Sequence, residues 1–271
     1  MSGTFLYGAN VRANGIRQHY LRYGGAGPAL ILIPGITSPA ITWGFVAERL
    51  GREFDTYVLD VRGRGLSETG SGLDYGIDAC ADDVTAFAGA LGLAEAGYHL
   101  AGHSMGARFA IRAAVRQPKG IQRLVLIDPP VSGPGRRAYP SNLDWYVDSI
   151  RQAVAGMDAD AMRAFCPTWT IEQLRLRAEW LHTCHEPAIV ETYRGFHEDD
   201  IHQDLPNLPV PALLIVAGRG GVIQAEDEAE IRQLQPGIRI ARVEDAGHMI
   251  PWDDYEGFFA AFGDFLGKPL T

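Results

Sequence analysis

Ser104 stands in Gly102-His103-Ser104-Met105-Gly106, a G-x-S-x-G pattern. A serine hydroxyl is a poor nucleophile until a neighbouring base takes its proton. Glycines two positions to either side permit a sharp, strained strand-to-helix turn. Such a turn lifts the hydroxyl clear of a sheet and aims the first amides of the following helix at a reacting carbonyl. The pattern is short and recurs by chance, and its plain alternative is a glycine-rich structural turn. Its surroundings decide for chemistry: the apolar run Tyr98–Ala101 precedes it and the helical pattern Ala107–Arg116 follows.

The base should come late, in a loop after the last strand, in the chain order Ser, acid, His. Among eight histidines, His248 alone follows the final strand-like run, Ile238–Val243. The carboxylate that would orient its ring has two possible places. The loop after Ala212–Ala217 reads Gly218-Arg219-Gly220-Gly221 and carries none; Glu226 and Asp227 come later, where a helix start favours acidic residues anyway. One strand earlier, Asp128 closes the buried run Arg123–Ile127, on the sheet edge that carries Ser104. Asp128 is therefore preferred over Asp227 or Glu226. Two backbone N–H groups would hold the oxyanion: Met105, just after the nucleophile, and Ile36 in Pro34-Gly35-Ile36-Thr37.

Positioning these groups requires strands that end at one edge. The apolar runs Pro28–Pro34, Thr56–Asp60, Tyr98–Ala101, Arg123–Ile127 and Ala212–Ala217 read as strands buried on both faces, alternating with helical patterns. At the start, Phe5–Arg12 and Ile16–Tyr23 flank Asn14-Gly15, a type I′ hairpin signal. From Pro129 to about Pro209 no buried strand is read, only amphipathic helical segments broken by Pro and Gly. The expected architecture is α/β: a mostly parallel sheet with an N-terminal hairpin, helices on both faces and a helical cap. Core would be 1–130 and 209–271, and cap 131–208.

These features together resemble the α/β-hydrolase superfamily over nearly the whole chain. Asp60-Val61-Arg62-Gly63-Arg64-Gly65-Leu66-Ser67 is similar to its D-x-R-G-x-G-x-S loop. Pro34 departs from the histidine many members carry before the oxyanion glycine, which removes a side chain but not an amide donor. Four segments, 34–43, 128–137, 217–223 and 247–252, closely resemble the N-formylmaleamate deformylase family of aerobic nicotinate breakdown. That resemblance implies hydrolysis of a formyl C–N amide bond, giving maleamate and formate. It also implies an acid carried after the strand that precedes the cap, which supports Asp128.

A small substrate with a carboxylate needs a cation or several donors in an apolar pocket. Arg136 and Arg137 near Asp128, Arg108 one turn past Ser104, Thr37, Ser38 and His185 are the candidates, each with surface charge, ion pairing or packing as its plain reading. His182, Cys184 and His185 lack a fourth ligand at metal-binding spacing, and serine hydrolysis calls for no metal or organic cofactor. Trp145, Trp169 and Trp180 read as cap core. His103 reads as pointing away from substrate.

The chain has 271 residues, 46% of them hydrophobic, and a formal charge of −9. The acidic balance disfavours nucleic acid, and no apolar run is long enough for a bilayer. Three widely spaced cysteines suit reduced thiols in a cytoplasmic setting, and no basic-then-apolar leader is seen. A monomer and a homo-oligomer are both compatible with this composition. Competing functions are another small-acyl hydrolase (carboxylesterase, lactonase or C–C bond hydrolase) and, in a different class, a weakly catalytic ligand-binding protein.

Overall fold

The computed structural model describes residues 3–270. Eight strands form one sheet in the order β1-β2-β4-β3-β5-β6-β7-β8. They are β1 (Phe5–Ala13), β2 (Ile16–Tyr23), β3 (Ala29–Ile33), β4 (Asp55–Leu59), β5 (Tyr98–His103), β6 (Ile121–Ile127), β7 (Ala212–Ala217) and β8 (Arg239–Val243). The pairs β1–β2 and β2–β4 are antiparallel and the remaining neighbours are parallel. Asn14 and Gly15 both have positive φ, 49° and 76°, as the hairpin signal requires.

Side chains alternate strictly between the two faces of the central strands. Ile31, Leu124, Leu126 and Leu214 enter one core; Leu30, Leu32, Val125 and Leu213 enter the other. The first core is covered by α2 (Ile77–Ala90), α3 (Leu93–Ala96), α4 (Met105–Arg116) and α9 (Ala225–Leu234). The second is covered by α1 (Gly44–Leu50), the short α10 (Ile250–Asp253) and α11 (Tyr255–Leu266), which contributes Phe258, Phe259, Phe262 and Phe265. A sheet covered on both faces explains the unbroken apolar runs read as strands.

Between β6 and β7 the described residues contain helices only: α5 (Leu143–Val154), α6 (Ala159–Met162), α7 (Ile171–Trp180) and α8 (Glu186–Glu198), with short 3-10 turns. Their starts follow local chemistry. Asn142 and Asp158 accept amide hydrogen bonds as N-caps of α5 and α6, and Thr170 and Gln173 form a capping box on α7. Helix α7 ends at Trp180 and passes into a 3-10 turn at Leu181–Thr183. Buried Tyr139, Tyr146, Leu174 and Leu181 from this segment join the first core, so cap and sheet share one apolar interior. Among the described residues no helix is long and apolar enough to cross a membrane.

Candidate active site

Ser104 sits at the carboxyl end of β5 with φ 53° and ψ −117°, a conformation rare for a non-glycine residue. The flanking glycines are obligatory here. A Cβ on Gly102 would overlap Gly106 O, and one on Gly106 would overlap Ile33 O. The elbow is tied across the sheet by Ser104 N–H donating to Ile127 O at 2.8 Å. Helix α4 begins at Met105, so that residue's N–H is a first-turn amide without an intrahelical acceptor.

His248, in the loop after β8, places Nε2 3.0 Å from Ser104 Oγ and Nδ1 2.7 Å from Asp128 Oδ2. Asp128 is wholly buried at the end of β6, with φ 46°. Its Oδ1 accepts from Ala217 N–H at 3.3 Å, so both carboxylate oxygens have a donor. A carboxylate facing Nδ1 fixes the tautomer that leaves Nε2 free to accept a proton. Asp227 is elsewhere: it accepts from Gln224 N–H at the start of α9 and pairs with Arg137. Glu226 shares that first turn.

Two more groups surround the base, one read differently from the sequence and one not singled out by it. His103 does not point away; its Nε2–H donates to the His248 carbonyl at 2.9 Å, and it lines the cavity described below. Burial, and then the neighbouring His248, push His103 down to about 3, so it remains neutral. The Tyr139 hydroxyl lies 3.4 Å from His248 Nε2 and accepts from Tyr146 at 3.4 Å. Burial holds the Tyr139 phenol protonated, well above its ordinary range.

The loop after β3 is fixed peptide by peptide. Gly35 O accepts from Ser38 N–H at 3.2 Å, which turns the N–H of the same peptide plane, that of Ile36, to the opposite side. Ile36 O accepts from Arg64 Nε at 2.9 Å, and Thr37 O from an Arg177 terminal nitrogen at 3.1 Å. Asp60, which opens the segment carrying Arg64, accepts from Ala40 N–H at 2.6 Å. The D-x-R-G-x-G-x-S segment thus braces the loop after β3 at two points. The amides of Ile36 and Met105 have no hydrogen-bond partner among the described residues.

Ser104 and His248 open into a cavity of about 530 Å³ between sheet edge and cap. Thr37 and Ser38 line it as expected, together with Trp145, Tyr146, Phe165 and Trp169 from the cap. Trp145 and Trp169 are therefore cavity walls rather than cap core alone. Arg108, Arg136, Arg137 and His185 do not line it, which corrects their assignment to substrate. Arg108 spends its terminal nitrogens on the carbonyls of Pro130, Ser132, Gly195 and Asp199, bonding cap to core. Arg136 forms a two-pronged pair with Glu230, and Arg137 meets Asp227, Gly221 O and Val222 O. His185 precedes α8 as its N-cap, with N–H donating to Gly63 O and its ring beside Tyr75.

The buried cation that lines the cavity is Arg177 on α7. Its sequence signal is faint but present: Leu174, Arg177, Ala178 and Leu181 are the buried positions, spaced as one helical stripe, and a charge on an apolar stripe marks a site. At the cavity's edge are exposed Arg219, donating to Asp245 O, and exposed Asp253.

The alpha/beta hydrolase family model matches residues 30–261. The chain is 73% identical over 268 residues to an N-formylmaleamate deformylase of Pseudomonas putida, covering 99% of each chain. It is 27% identical over 253 residues to a 2-(acetamidomethylene)succinate hydrolase of Mesorhizobium japonicum, covering 85% of this chain and 84% of that one. Among solved structures it matches the N-formylmaleamic acid deformylase of Pseudomonas putida S16 at a TM-score of 0.90 and 56% identity, covering 94% of this chain and 100% of that one.

Proposed function

The chain belongs to the alpha/beta hydrolase family, and from that premise we infer that it is a serine hydrolase cleaving the formyl C–N bond of N-formylmaleamate, giving maleamate and formate. One observation carries the substrate: 73% identity to a deformylase of that compound, end to end. The hydrogen-bonded line Ser104–His248–Asp128 supplies the mechanism.

Ser104 Oγ attacks the formyl carbon as His248 Nε2 takes its proton. Asp128 stabilises the imidazolium that results, and stays ionised. Negative charge develops on the formyl oxygen, where the N–H groups of Ile36 and Met105 receive it. His248 then returns the proton to the leaving nitrogen, and the C–N bond breaks. That nitrogen is also bonded to the maleamate carbonyl, so it departs more readily than an ordinary amine. The formyl group, with only hydrogen on its carbon, stays on Ser104 Oγ. Water, deprotonated by His248, cleaves this ester and releases formate. The resemblance assigns this reaction to aerobic nicotinate breakdown. Buried, unpaired Cys80, Cys166 and Cys184 support a reducing, cytoplasmic setting.

The test is a coupled formate assay with purified protein and N-formylmaleamate. One formate per substrate consumed is expected. Turnover of p-nitrophenyl acetate with no formate from N-formylmaleamate would overturn the substrate and leave a general esterase.

A further inference from the structure

Arg177 is 4% exposed, yet no carboxylate among the described residues pairs with it. Its two terminal nitrogens donate to Thr37 O and Thr37 Oγ1, at 3.1 and 3.0 Å. Its Nε is buried with no partner. The guanidinium carbon lies 5.7 Å from the Trp145 ring centre and 5.6 Å from that of Trp169. Indole faces attract a cation without neutralising it.

Two other buried arginines sharpen the contrast. Arg64 and Arg108 also lack carboxylates, but Arg64 donates from all three of its nitrogens and Arg108 to four carbonyls. Neither lines the catalytic cavity. The ionisable wall neighbours of Arg177 are Cys166 and Tyr146, and burial pushes both upward, so they stay neutral. A buried charge is costly unless paired. In a chain of net charge −9, this cavity holds a desolvated cation with donor capacity to spare.

We propose that Arg177 binds the free carboxylate of the substrate, so that the cavity selects small acyl amides bearing a carboxylate over neutral ones. This inference rests on the proposed function and names its specificity determinant. The bound carboxylate supplies the missing counter-charge between the two indole walls. Because Arg177 also holds Thr37 O, one residue from the Ile36 amide, the anchor for the far end of the substrate is registered directly against the oxyanion site. The reacting carbon is thereby placed through a single side chain.

The experiment compares N-formylmaleamate with its neutral carboxylate methyl ester, in wild type and in Arg177→Gln and Arg177→Lys. Wild type should prefer the acid in kcat/KM by at least ~10-fold, and Arg177→Gln should lose ~10- to 100-fold more on the acid than on the ester, as for a buried charge-assisted hydrogen bond. Arg177→Lys, which keeps the cation but not the planar fork, should retain part of the preference. Equal losses on both substrates would make Arg177 only a brace of the oxyanion loop and overturn the proposal. So would a preference that persists in Arg177→Gln. A second measurement needs no variant: maleamate should inhibit wild-type p-nitrophenyl acetate hydrolysis at least ~10-fold more tightly than neutral maleamide, by the same charge-assisted bonding. Equal inhibition overturns the proposal. Failure to turn over N-formylmaleamate would remove the proposed function, and the inhibitor pair, repeated in Arg177→Gln, would still decide the role of Arg177.

Discussion

Replacing Asp128 with Asn keeps the side-chain shape and removes its charge. The backbone there has φ 46°, a region Asn visits about as readily as Asp, so the substitution adds little strain. The consequence lies in which way the new amide faces. Oδ1 now accepts from Ala217 N–H and Oδ2 faces His248 Nδ1. If the amide oxygen stays on Ala217, the NH2 faces Nδ1 and makes it an acceptor. The ring proton then sits on Nε2, and Ser104 loses its base. If the amide turns over, its NH2 confronts Ala217 N–H and leaves a buried donor unpaired, at a cost of ~1–3 kcal/mol, or about 5- to 150-fold in population. The turned form also lacks the charge that stabilises the imidazolium. Together these give a loss in kcat of about 10³- to 10⁴-fold. The assay is formate release under saturating N-formylmaleamate, with circular dichroism confirming the fold. Asp227→Asn should stay within about threefold of wild type, since that side chain only caps α9 and pairs with Arg137 at the surface. An active Asp128→Asn beside a dead Asp227→Asn would refute the reasoning.

Ser104→Ala should lower kcat by at least ~10³-fold while melting as wild type does, because the nucleophile acts as part of a unit; near-normal turnover would remove the covalent mechanism. Arg108→Leu should be chiefly a stability variant. It removes a donor from four carbonyls, of which the buried pair at Pro130 and Ser132 is left without a partner, costs ~3 kcal/mol and lowers Tm by roughly 5–10 °C, with the acid-over-ester preference intact; a lost preference at unchanged Tm would argue the reverse. Burial pushes His99 down to about 4 and His103 to about 3 from the ordinary 6.5. Below pH ~6.5 the unfolded chain takes protons on these residues that the folded chain refuses, so stability present above that pH is lost as pH falls, by about 1.4 kcal/mol per unit for each. Denaturant titrations from pH 7 to 5 should show this slope, and His99→Phe should flatten it; equal slopes in the two proteins would count against the burial argument.

How far the sequence could be read depends on which physical signal each residue gives. The sheet was legible because its central strands are buried on both faces, leaving long apolar runs with few other readings. Ser104, Asp128 and His248 each end such a run or follow the last one, so strand position alone orders them. Arg177 gives no such signal. It lies in Arg175-Leu176-Arg177, and only the phase of α7 against the sheet decides which arginine turns inward. Arg108, Arg136 and Arg137 were misleading for a related reason. Nearness along the chain to Ser104 and Asp128 does not place a side chain in the same space, and each finds carbonyls or carboxylates closer to hand. His103 needed the third dimension as well, since its acceptor lies 145 positions later.

Carrying the acid on β6 has a consequence for how such a protein can change over generations. The end of β7 supplies only the Ala217 N–H to the charge system, through the backbone, which any residue but proline provides. Its next residues, Arg219 through Val222, face the cavity instead. A Cβ on Gly220 would lie 2.7 Å from Ala217 Cβ and 3.6 Å from Asp128 Oδ2, so drift confined to the Arg219 and Gly221 pair can reshape what the enzyme accepts while leaving how it cuts untouched. For an engineer seeking new acyl amides, that pair is the place to randomise first.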